Sequence, residues 1–134
     1  MIWQDVVVRR LLSDGDLAVG LAVAFRIRSD EVIVNQGGTV FEETPSRKVV
    51  CDVFNKSEGF RLVISLYTFF DSPREDDPVA VVKEFARVAQ TECLLSDDSP
   101  NPYTMIHIHP SGEVVSVWLD VDRLDDKGEY HIRE

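Results

Sequence analysis

Alternation is the clearest pattern along the chain. Across residues 17–27 large side chains (Leu17, Val19, Leu21, Val23, Phe25, Ile27) alternate with small ones (Ala18, Gly20, Ala22, Ala24), a period of two that predicts a β-strand. Asp14-Gly15 just before it suits the left-handed backbone of a two-residue turn. The pattern therefore predicts a first hairpin over residues 6–27, with Leu12 opposite Leu17, Val8 opposite Leu21 and Val6 opposite Val23. Its small-residue face would admit a helix at close range. In the first arm Trp3, Val7 and Leu11 also share a helical face, but the β-branched run Val6-Val7-Val8 favours a strand.

Residues 31–43, with Gly37-Gly38 in their middle and Pro45 after them, read as a short hairpin or one broken strand. Next, Val49, Cys51 and Val53 face one way with Lys48 and Asp52 opposite, and Phe60, Leu62, Ile64 and Leu66 share a face of the following strand. Bringing both apolar rows to one side requires an even loop, which residues 56–59 supply. Val63, Tyr67 and Phe69 on the second face predict that this strand is central. Asp77-Pro78 is a helix start, with Asp as cap and Pro in the first turn. Val82, Phe85, Ala89 and Cys93 recur at helical spacing, predicting a helix that ends near Leu95. The last hairpin spans residues 103–121, where a four-residue turn at 110–113 matches Val115, Val117, Leu119 and Val121 to Ile106 and Ile108. The charged tail, residues 122–134, is expected on the surface. The fold expected is a single α+β domain over residues 1–134. It has an antiparallel sheet of about six to seven hairpin-connected strands and one main helix packed on it.

Composition narrows the function classes. A chain of 134 residues that is 44% hydrophobic can fold without disulfides or metals. Cys51, in a predicted strand, and Cys93, in the predicted helix, sit among apolar neighbours with no basic cluster to activate them, and read as buried free thiols. A reducing, cytoplasmic setting is expected: the N-terminus lacks a charged-then-apolar leader, and no apolar run reaches membrane-spanning length. The net charge of −10, with basic residues only singly or in pairs such as Arg9-Arg10 and Arg47-Lys48, argues against nucleic acid and anionic membranes as partners. It suits a basic protein partner.

Candidate chemistry concentrates in the last hairpin. His107 and His109, two apart on a strand, point the same way and could begin a metal site. With a four-residue turn His107 faces Ser116, with Val114 and Trp118 as diagonal neighbours, and Asp120 lies too far along to complete it. No metal or other cofactor is therefore expected. That face gathers Tyr103, Met105, His107, His109, Trp118 and Asp120, a mixture typical of the centres of binding patches, unless the helix covers it as a second core. The carboxylate clusters at Glu42-Glu43, Glu75-Asp76-Asp77, Asp97-Asp98 and residues 120–129 fall in charged loops, which predicts solvated groups rather than a tuned catalytic pair. Residues 120–129 lack the ligand spacing of an EF-hand, Gly37-Gly38 lacks a phosphate-loop context, and no serine has a G-x-S-x-G setting. The expectation is an acidic protein-binding module, in concrete form an immunity or inhibitor-type protein neutralising a basic partner such as a toxin nuclease, or a secretion-type chaperone. The alternatives are a structural subunit that self-associates, as a homodimer, through sheet edges, and a metal-binding protein or enzyme using His107 and His109.

Overall fold

The computed structural model describes residues 2–37, 47–72, 74 and 76–134. Expectations for the second arm of 31–43, for Pro45 and for Glu42, Glu43 and Glu75 lie outside the described residues. In chain order the elements are β1 (Ile2–Val8), α1 (Asp14–Phe25), β2 (Val32–Gln36), β3 (Val49–Asn55), β4 (Leu62–Thr68), α2 (Pro78–Ala89), β5 (Cys93–Ser96), β6 (Thr104–Ile108), β7 (Val114–Trp118) and α3 (Val121–Lys127). The strands form one sheet in the order β2-β3-β4-β1-β5-β6-β7, antiparallel throughout except for the parallel pair β2–β3. The α+β class and the mostly antiparallel sheet match expectation. Connection by hairpins holds only in part, because β1 sits at the centre and pairs with β4 and β5, both remote in sequence.

The first predicted hairpin is instead a strand followed by a helix. Ser13 caps α1 by accepting the Asp16 N–H at 3.1 Å, and Asp14 and Asp16 lie in the first turn, where the helix dipole favours negative charge. Asp14-Gly15 is therefore the start of a helix, not a β-turn. In an almost wholly apolar run, alternation of size mimics a strand, while Leu17, Gly20, Leu21 and Ala24 equally form a buried helical stripe. The small residues do serve close packing, with Gly20 as the contact: a β-carbon there would stand 3.0 Å from the Phe85 ring of α2. Two helices, not one, thus cover the sheet.

α2 ends at Ala89, where Gln90 turns the chain with φ 52°, and residues 93–96 form β5 rather than a last helical turn. Cys93, Leu94 and Leu95 are all buried, and three consecutive buried side chains suit a strand covered on both faces better than a one-sided helix. The β3–β4 connection spans residues 56–61, so Val53 pairs with Ile64 instead of Leu62. That slip is an even number of residues, and the predicted faces survive it.

The β6–β7 slip is odd and does not preserve the faces. The turn holds five residues, 109–113, closed by Gly112 N–H to His109 O (2.8 Å) and His109 N–H to Glu113 O (2.9 Å), with Gly112 at φ 96°. Ile106 consequently faces Ser116, and His107 faces Val115. Every β7 side chain lies on the face opposite to the one expected relative to β6.

The front of the sheet, covered by α1 and α2, carries the main core: Val6, Val8, Cys51, Ile64, Leu66 and Leu95 meet Leu17, Leu21, Val82 and Phe85. The back carries a second core of Val7, Phe60, Leu94 and Leu119, packed against Met105, Val117, Leu124, Tyr130 and Ile132. The last residues are therefore structural rather than a surface tail. Tyr130 O accepts the Phe60 N–H (2.9 Å), and a bridge pairs Leu119 with Ile132 through Asp120 N–H to His131 O (2.8 Å) and Arg133 N–H to Trp118 O (2.7 Å). On the back, Asp52, Ser65 and Asp5 lie in register across β3, β4 and β1, with Ser65 Oγ donating to Asp5 Oδ1 at 2.6 Å.

Candidate interaction surface

Because the β6–β7 register is odd, the six residues expected to share one face are divided. Met105 and His107 point to the back of the sheet, towards the C-terminal segment; Met105 packs in the second core. The His107 ring stands edge-on to Phe60, with centroids 6.4 Å apart, and its Nε2 donates to Glu92 Oε1 at 2.8 Å. Glu92 also accepts from Arg9 Nη1 at 3.2 Å, and the Arg9 guanidinium lies 5.6 Å from the Phe60 ring. His107 is thus held in a local network and half-buried. His109 lies in the turn, exposed, with Nδ1 accepting the Ser111 backbone N–H at 3.2 Å. The two imidazoles are engaged separately, and among the described residues no group of three or more His, Cys, Asp or Glu side chains is placed to hold a metal ion.

Trp118 points the other way. It ends β7 on the front, beyond the cover of α1 and α2, and is 46% exposed. Val114 lies on the same face, four residues earlier, and is 39% exposed. The Arg133 guanidinium carbon sits 5.1 Å from the Trp118 ring centre, a cation–π contact that still leaves the indole 46% exposed.

Carboxylates follow the indole closely. Asp120 caps α3, its Oδ1 accepting the Arg123 N–H at 3.1 Å. α3 brings Asp122, Asp125 and Asp126 to the surface. Tyr103 donates its hydroxyl to Asp125, at 3.0 and 2.9 Å to the two oxygens, and this bond to a carboxylate pushes the phenol pKa up. Tyr103, opposite Leu119, thus belongs with Met105 and His107 on the back, tied to α3, while Trp118 stands on the front at the same end of the hairpin, two residues before the Asp120 cap.

The outer edge of β7 is partly closed. Alternation along the strand turns the main-chain groups of Val114, Ser116 and Trp118 outward, but residues 131–133 already lie along the Trp118 end. Among the described residues, only the stretch from Val114 to Ser116 leaves that edge unpaired.

No helix among the described residues is long and apolar enough to cross a membrane. Compared with known proteins, the chain matches no family model, no curated sequence and no solved structure.

Proposed function

We propose that the chain is a protein-binding module of immunity or inhibitor type that holds a basic partner against the end of β7 and α3. The observation that carries this reading is Trp118: a large aromatic side chain, nearly half exposed, in cation–π contact with Arg133, at the end of a strand that leads straight into Asp120 and the acidic helix α3. An exposed indole on a strongly acidic chain combines an anchor that gains affinity by burial with charges that speed encounter with a cationic surface. The net charge of −10 extends that attraction beyond contact distance. The neutralised partner would be a basic protein such as a nuclease, whose own cationic cleft recognises phosphate.

Self-association through a sheet edge is the weaker reading, since residues 131–133 occupy the end of β7 that a second strand would need. A metal-dependent activity using His107 and His109 draws little support from imidazoles committed to Glu92 and to Ser111.

Co-expression with the basic proteins encoded beside this chain tests the proposal. A complex should form whose association rate falls at least tenfold between roughly 0.05 and 0.5 M salt. Trp118→Ala should cost about 2 kcal/mol or more of binding. Binding indifferent both to salt and to Trp118→Ala would overturn it.

A further inference from the structure

We infer that the groove between α2 and the β6–β7 turn is an anion site, built to take one phosphoryl group as inorganic phosphate or a phosphomonoester. It encloses about 320 Å³ and is lined by Arg74, Lys83, Glu84, Arg87, Ser111 and Gly112 among others. Three cations against one carboxylate is an inversion of the overall balance of a chain with 24 acidic and 14 basic residues. Lys83 and Arg87 are already one helical turn apart in the sequence; folding adds Arg74 and the β6–β7 turn. Lys83 and Arg87 stand one turn apart on α2, and Arg74 O accepts the Asp77 N–H at 3.1 Å just before the helix. The opposite wall is the β6–β7 turn, which Gly112 closes at φ 96° and which brings Ser111 and Gly112 alongside Lys83.

The charges within the groove are incompletely matched. Glu84 is shared between Arg87 Nη2 at 3.3 Å and Arg74 Nη2 at 4.0 Å. The Arg74 side chain is only 17% exposed, and its Nε is buried with no hydrogen-bond partner. Among the described residues Lys83 has no ion pair. A guanidinium largely withdrawn from water and matched, among the described residues, only by a carboxylate 4.0 Å away is favoured by a further acceptor. An oxyanion in the groove would accept from Lys83 and from the outer nitrogens of Arg74, not from the sealed Nε, while Glu84 continues to hold Arg87. This groove lies at the turn end of β7, about 13 Å along the strand from Trp118. It is independent of the partner surface.

Calorimetric titration with inorganic phosphate, and separately with phenyl phosphate, tests the site at constant ionic strength with chloride as the control. Saturable one-to-one binding of at least one of the two is expected, with a dissociation constant of about 1 mM or below. Tighter binding of phenyl phosphate would assign the site to phosphomonoesters, and preference for inorganic phosphate to the free ion. Lys83→Met, an exposed change that leaves the core intact, should weaken binding about tenfold, and Arg74→Gln by at least as much. No saturable binding, or binding unchanged in the folded Lys83→Met protein, would overturn the assignment.

Discussion

Replacing Leu119 with alanine tests whether the C-terminal segment is a structural wall. Leu119 is fully buried between Val7, Phe60 and Leu94, and it pairs with Ile132 at the end of the chain. It also separates Trp118, which points outward, from Asp120, which caps α3. Truncation to alanine removes three carbons. At about 0.8 kcal/mol per buried carbon, transfer alone costs roughly 2.4 kcal/mol. The cavity left behind raises this to about 3–4 kcal/mol, because a site built from β1, β5, the Phe60 loop and the tail cannot collapse freely. For a domain of this size each kcal/mol corresponds to roughly 3–5 °C, so the melting temperature should fall by about 10 °C or more. Urea unfolding followed by far-UV circular dichroism measures the loss, and Val121→Ala, at an exposed position beside it, serves as a control expected within about 0.5 kcal/mol. A Leu119→Ala protein within about 1 kcal/mol of the parent would refute the second core, and with it the placement of Trp118 and α3.

Three further outcomes follow from local chemistry. The Arg28 backbone N–H and then Lys48 Nζ hold the Glu31 carboxyl below the usual carboxylate range, and the Thr104 and Ser99 hydroxyls do the same for Asp97. Their contribution is full above the unfolded-state values near pH 4 and is lost as pH falls through the lower folded values. Urea midpoints should therefore drop in acid, with a shallower decline in Glu31→Gln; an unchanged acid slope in that variant would contradict the assignment. Burial pushes both Cys51 and Cys93 thiols far up, so the native protein should resist a thiol-reactive chromogenic disulfide at neutral pH and release two equivalents only on denaturation. Arg26 ends α1 with φ 60°, a conformation glycine adopts without steric cost, so Arg26→Gly should stabilise the fold by about 1 kcal/mol in thermal melts.

Where side-chain period, caps and β-branching agreed, the elements were readable in advance. Val6-Val7-Val8 lies in a strand, Asp77-Pro78 opens a helix, and the alternating rows of β3 and β4 face the same core. The α1 segment reads as a strand because a run of nearly uniform hydrophobicity fits a two-residue alternation as well as a helical stripe. Of the candidate surface, Trp118 keeps the front while Tyr103, Met105 and His107 take the opposite face, for one reason: a turn of five residues instead of four. Arg133 beside the indole and the β6–β7 turn beside Lys83 carried no signal in a single sequence, because each contact joins separate segments of the chain.

The sequence by itself determined the α+β class, a mostly antiparallel sheet, the buried thiols and the strongly acidic balance, since these depend on composition and on contacts within a few residues. Tertiary structure alone decided that β1 is central, that the C-terminal segment seals the back of the sheet, and that Trp118 and His107 look in opposite directions. Strand order and register depend on closing loops around cores assembled from the whole chain. A single added residue in a turn reverses a face while leaving the local hydrophobic pattern unchanged.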